Sequence, residues 1–170
     1  MVTFEMDSGK QIKIEVYPHV APITSRNFLY LCSIGFYDNT PFHRVIKGFI
    51  VQGGSPDGDP NGGPGYSIKG EFTTNGFTNR LKHLRGYVSM ARYADENDSG
   101  GSQFFIIQER AEHLDTRYAV FGNVVEGMDV IDEIGELAVD AEDRPLELPY
   151  IVKVTLDEGE LTDAIRPDTN

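Results

Sequence analysis

Apolar and polar positions alternate with period two in VTFEM (2–6) and again in QIKIEVY (11–17), with DSG (7–9) between them. That period puts one set of side chains on one face of a strand. The polar break predicts a β-hairpin with one face buried. The period then changes. In APITSRNFLYLCSIG (21–35), Phe28, Leu31 and Cys32 share a helical face, Pro22 suits the first turn and Gly35 suits the stop. Two strands are predicted near 42–46 and 49–53, before GGSPDGDPNGGPGYS (53–67), which is too rich in Gly and Pro for regular structure. Further short strands are predicted at YVSMA (87–91), QFFII (103–107) and AVFGNVV (119–125). GMDVIDEIGE (127–136) reads as a second helix with Val130, Ile131 and Ile134 on one face, and YIVKVTL (150–156) as a closing strand. LTDAIRPDTN (161–170) is polar and is predicted to fray. No repeat or linker interrupts the chain, so one domain is expected over 1–161, followed by a short polar tail, 162–170. Many short strands with two helices is an all-β pattern. A closed barrel and a sandwich both deal with sheet edges, and the pattern does not choose between them.

Composition narrows the function classes. The 170 residues carry 27 Asp+Glu against 15 Lys+Arg, a formal net charge of −12. That charge repels nucleic acid and anionic membrane surfaces, so neither is an expected partner. No run approaches the ~18 apolar residues of a membrane span. The opening MVTFEMDSGK lacks a signal-peptide pattern, which makes a cytoplasmic location the default. Cys32 is the single cysteine and reads as an inert core thiol. Asp57-Gly58-Asp59-Pro60-Asn61-Gly62 begins like a calcium loop, yet Ile68 stands where the bidentate Glu belongs. His19, His43, His83 and His113 do not fall at metal-ligand spacing. Ser102 in GGSQFF (100–105) lacks the rest of a hydrolase elbow. No metal and no cofactor are expected.

Arg44 sits inside TPFHRVIKGFIVQGG (40–54), a stretch otherwise built like a buried strand pair. Burying a cation is costly unless something pairs with it. If Gly48 centres a three-residue turn, Arg44 faces Gln52 and Ile46 faces Ile50, all four on one face of the ladder. The Gln52 amide oxygen would then accept from the guanidinium and fix its direction. The alternative is an arginine snorkelling from a sheet edge. His43, next in sequence, is expected on the opposite face with a structural hydrogen-bonding role.

FHRVIKGFIVQGG (42–54), GSQFFI (101–106) and LDTRYAVFG (114–122), in this order and spacing, resemble the cyclophilin family of peptidyl-prolyl isomerases. The resemblance runs from the first strand to about Leu161. It implies a closed eight-stranded antiparallel barrel capped by two α-helices, with the binding groove on its outer surface. It also implies isomerisation of X–Pro bonds without a cofactor, a monomer, and proline-containing peptides and unfolded or partly folded chains as partners. By resemblance Arg44 is catalytic and Gln52 orients it. The substrate-binding positions fall on His43, Ile46, Phe49, Ile50, Ala91, Arg92, Gln103, Phe105, His113, Leu114 and Tyr118, with Gly62 nearby.

The chain departs from the family pattern at several points. Ile50 replaces the usual methionine. His113 replaces the tryptophan of the cyclosporin-sensitive members, leaving weak cyclosporin binding at most. Tyr118 replaces a histidine common in eukaryotic members. ARYADENDSGG (91–101) is longer and more acidic than in the short eukaryotic members, so Asp95, Glu96 and Asp98 are expected to favour basic peptides. AVDAEDRPLELP (138–149) is also longer and reads as a surface loop. The competing function is a non-catalytic proline-peptide-binding or chaperone module using the same groove without turnover.

Overall fold

The N-terminal hairpin forms between β1 (Val2–Met6) and β2 (Gln11–Val16), turning through Gly9 at φ 82°. Val2, Phe4, Ile12 and Ile14 point inward and are fully buried, while Glu5 and Glu15 face solvent. The computed structural model describes residues 1–168; the last two residues of the tail expected to fray lie outside the described residues. Six more strands follow: β3 (Thr40–Ile46), β4 (Ile50–Gly53), β5 (Tyr87–Met90), β6 (Phe104–Ile107), β7 (Val120–Glu126) and β8 (Tyr150–Leu156). They pair in the order β1-β2-β7-β5-β6-β4-β3-β8, and β8 returns antiparallel to β1. The sheet is therefore a closed barrel and not a sandwich, and closure removes its edges.

Two helices cap the barrel, α1 (Pro22–Ser33) and α2 (Met128–Gly135). A third, α3 (Glu158–Leu161), is one turn long and was not foreseen from the pattern. Gly35 ends α1 at φ 72°, where its N–H donates to Cys32 O and the Phe36 N–H to Leu31 O. These paired bonds satisfy carbonyls that the helix end would leave bare. The start of α1 has no side-chain cap of its own. A distant carboxylate supplies one. Fully buried Glu71 accepts from the Ile23 N–H at 3.0 Å, the Thr24 N–H at 2.8 Å and the Thr24 hydroxyl at 2.7 Å. An anion there also meets the positive end of the helix dipole.

Aromatic rings fill the core. Phe28 of α1 lies 5.0 Å from Phe121, 5.4 Å from Tyr37 and 5.5 Å from Phe104, centroid to centroid. Strand alternation then builds a second, outer cluster. In β6, Phe104 and Ile106 belong to the core, while Phe105 and Ile107 join Ile50, Ala111 and Leu114 outside it. Phe49, Ile46, Ala91 and Tyr118 pack on this outer cluster. Between β4 and β5 the chain runs without strand or α-helix, with only a 3₁₀ turn at Thr73–Asn75. Gly54 starts that run at φ 93°, and a Cβ there would collide with the Ser102 carbonyl. A further 3₁₀ turn spans Glu112–Leu114. Among the described residues no helix is long and apolar enough to cross a membrane.

Candidate active site

The β3–β4 hairpin turns through Gly48 at φ 69°, and its register pairs Arg44 with Gln52 and Ile46 with Ile50. Arg44 Nη1 donates to Gln52 Oε1 at 3.3 Å. Gln52 Nε2 in turn donates to Gln103 Oε1 at 2.9 Å. Gln103, just ahead of β6, donates through its own Nε2 to Pro60 O at 2.9 Å and Gly62 O at 2.8 Å. Two backbone carbonyls thus fix the Gln103 amide, which fixes the Gln52 amide, which presents an oxygen to Arg44. An amide has one acceptor end and one donor end, so reversing one member opposes donor to donor along the line. The sequence placed Gln103 among the substrate contacts; the relay gives it an orienting position behind Gln52.

Beside Arg44 lies a hollow of about 290 Å³ on the outer face of the barrel. Phe49, Ile50, Phe105, Leu114 and Ala91 form the apolar part of its wall, and Gln52, Arg92, His113 and Tyr118 complete the lining. Phe105 meets Tyr118 edge to face at 5.6 Å, and Phe49 lies 5.2 Å from the His113 ring. The 3₁₀ turn Glu112–Leu114 carries both His113 and Leu114 to the site. Ten of the residues singled out in the sequence, Arg44 among them, surround this one hollow. Ile46, His43 and Gln103 do not line it. Ile46 packs within the outer cluster instead.

His43 departs from the expectation that it would face away from Arg44. The ladder shifts register between Phe42 and Arg44, which upsets strict alternation. His43, only 4 % exposed, shares with Arg44, Gln52 and Pro60 a second hollow of about 440 Å³. Asp140, Glu142 and Arg144 form its other wall, so the 138–149 segment reaches the site's margin. The segment is held there by the Val45 N–H donating to Asp143 O at 2.8 Å and by Arg144 Nη1 donating to Gly58 O at 2.7 Å, and the Val139–Pro145 bridge folds it back on itself. Burial, helped by nearby Arg144, pulls the His43 pKa below 6.5. A third hollow, of about 500 Å³, lies between residues 60–67 and 91–103, and Gln103 lines it.

The acidic loop is also more constrained than its composition suggests. Asp98 accepts from the Gly70 N–H at 2.9 Å and Asn75 Nδ2 at 2.8 Å, and these bonds lower its carboxyl pKa. Its carboxylate therefore anchors the loop, while Asp95 and Glu96 stay exposed.

Sequence reasoning missed the support behind Phe105. The His83 ring stacks near it at 6.1 Å and 16°. His83 Nδ1 lies 3.1 Å from Asp115 Oδ1 and Nε2 lies 3.0 Å from Ser89 Oγ. His83 and Ser89 are fully buried, so this Ser–His–Asp line braces the pocket and meets no substrate. Burial lowers the His83 pKa despite the opposing pull of Asp115. No local motif announces this brace, since its members are scattered over 33 positions of chain from His83 to Asp115.

Comparison with known proteins agrees with this geometry. Residues 1–156 match the family described as cyclophilin type peptidyl-prolyl cis-trans isomerase/CLD. Peptidyl-prolyl cis-trans isomerase B of Bacillus subtilis is 47% identical over 126 residues, 74% of this chain and 84% of that one. Peptidyl-prolyl cis-trans isomerase-like 3 of Homo sapiens is 43% identical over 157 residues, 91% and 94% of the two chains. A crystal structure of a Cryptosporidium parvum cyclophilin-type isomerase, determined in the presence of the dipeptide Ala-Pro, matches with a TM-score of 0.83. It shares 31% identity and covers 92% of this chain and 98% of its own. The match over residues 1–156, together with these relatives, shows that the chain belongs to the cyclophilin-type peptidyl-prolyl cis-trans isomerases.

Proposed function

We propose that the hollow beside Arg44 holds the proline ring of an X–Pro bond and that Arg44 stabilises the amide as it twists. A planar amide delocalises its nitrogen lone pair into the carbonyl, which sets a barrier of roughly 18–20 kcal/mol. Twisting returns the pair to the proline nitrogen, which becomes an acceptor. A donor aimed at the twisted state lowers the barrier because it binds that state better than either planar form. Arg44 carries such donors on a rigid, permanently charged plane. Gln52 and Gln103 orient it, and the apolar lining strengthens its field by excluding water. Phe49, Ile50, Phe105 and Leu114 clamp the ring while the preceding carbonyl swings. The reaction makes and breaks no covalent bond, so this lining needs neither a nucleophile nor a proton shuttle.

The single observation carrying this reading is the one-way amide relay ending on Arg44 at the rim of an apolar hollow. The presence of the Ala-Pro dipeptide in the Cryptosporidium parvum study supports proline peptides as a ligand class. Accessible X–Pro bonds in peptides and unfolded chains are the substrates, with residues 1–161 as the isomerase unit and 162–170 as an appended tail. The chain acts as a cytoplasmic monomer, and its acidity turns it away from nucleic acid and anionic membranes. Cyclosporin binds weakly at most, because His113 offers less apolar area than an indole. Exchange spectroscopy of an Ala-Pro-containing peptide tests the assignment. Catalytic amounts of protein should accelerate cis–trans exchange, and saturating peptide should shift resonances of Ile50, Phe105 and Leu114. Binding without acceleration would assign the groove to a proline-peptide-binding or chaperone module.

A further inference from the structure

Arg92 lines both the proline hollow and the larger hollow beside it, yet its guanidinium is engaged by the protein itself. Its Cζ lies over the Phe72 ring at 4.9 Å and over the Tyr118 ring at 4.5 Å. Nε and Nη2 donate to Arg117 O at 3.1 and 2.8 Å. Nη1 donates to Tyr93 O at 2.9 Å and Ala94 O at 3.1 Å. A guanidinium has five N–H donors, and these contacts leave little of it for a peptide. One side chain thereby ties the start of the acidic loop to the backbone just before Tyr118.

That turn needs an external tie. Thr116 adopts φ 66°, a left-handed conformation that a β-branched residue resists. On its other side the turn is held by the Thr74 N–H and hydroxyl, which donate to Thr116 O at 2.9 and 3.0 Å. Tyr118 follows directly and forms the wall of the hollow against Phe105. We propose that Arg92 is a positioning residue of the isomerase: its guanidinium holds Tyr118 against Phe105 and so sets the width of the proline hollow. The proposal rests on that hollow being the proline site. Lysine cannot replace the arginine here. An ammonium has no plane to lie over two rings, and its three donors sit on one atom instead of being spread over a rigid fork that meets carbonyls from two segments.

A double-mutant cycle tests it, with Arg92→Lys, Arg92→Gln and Tyr118→Leu read by kcat and KM for an X–Pro peptide. Each Arg92 variant should lower kcat/KM about fivefold or more, mainly through KM. In the Tyr118→Leu background the same change should cost less than twofold, because the ring that Arg92 holds is already gone. Labelled Tyr118 provides a readout independent of catalysis: its ring resonances should move towards averaging in both Arg92 variants. Effects that multiply in the double variant, or an unmoved Tyr118 in a folded Arg92→Lys, would overturn the proposal. An inactive parent with a Tyr118 that still responds to Arg92 would instead sink the isomerase site assignment and leave the tie intact.

Discussion

Gln103→Leu separates orientation of the arginine from its presence. The change removes the bond to Gln52 at 2.9 Å and the bonds to Pro60 O and Gly62 O at 2.9 and 2.8 Å. Pro60 is exposed and Gly62 half-buried, so water can take over at both carbonyls and stability should fall by only about 1 kcal/mol. The catalytic cost is of similar size and has a different cause. Without Gln103 only the 3.3 Å bond to Arg44 itself fixes which end of the Gln52 amide faces the guanidinium. Reversed, the amide sets NH₂ against guanidinium and loses the 3.3 Å bond. One such bond is worth about 1 kcal/mol, which corresponds to about a fivefold fall in kcat/KM. Gln103→Glu should do more harm, because a carboxylate cannot donate to either carbonyl and must turn away from them. Peptide exchange rates, measured beside urea unfolding curves, check both variants. If both stay folded and keep kcat/KM within about twofold of the parent, the relay does not orient Arg44.

Two further predictions concern support rather than chemistry. Glu71→Ala strips three donors at the start of α1 of their acceptor and should cost about 2–3 kcal/mol in urea unfolding, with activity per folded molecule unchanged. A loss below about 0.5 kcal/mol would show that water caps the helix equally well. His83 and His43 both have folded pKa values below 6.5, burial being the main cause. Above about 6.5 both states hold them neutral and they contribute no pH dependence. Below it the unfolded chain takes up protons that the fold refuses, so stability should fall as the pH drops towards the folded pKa values. Melting temperatures between about pH 7 and pH 5 should decline in the parent and decline less in His83→Gln; equal slopes would remove His83 from the account.

Much of the barrel was legible because burial there follows period two. Phe4, Ile12 and Ile14 alternate with polar neighbours, and Gly48 fixes the register that brings Arg44 opposite Gln52. What escaped the sequence depends on contacts between distant segments. Glu71 caps α1 from 47 positions away, across a connection with no periodicity to read. Arg92 could be placed near the groove, yet its side chain is aimed by Phe72 and Tyr118, which only the fold brings together. His43 was misdirected by assuming strict alternation, which the register shift beside it breaks. The 138–149 segment reads as a plain surface loop until the Asp143 carbonyl is seen holding the Val45 N–H.

The central claim is that a donor held at the hollow's rim, and not enclosure alone, accelerates X–Pro rotation. Cis–trans exchange of a short X–Pro peptide, measured for the parent and for Arg44→Ala, tests it most directly. A preorganised donor of this kind is worth roughly 10²–10³ in rate, so Arg44→Ala should lose about that factor while its melting temperature stays close to the parent's. A folded Arg44→Ala that keeps its activity within about tenfold of the parent would contradict the account and return the catalysis to the apolar walls.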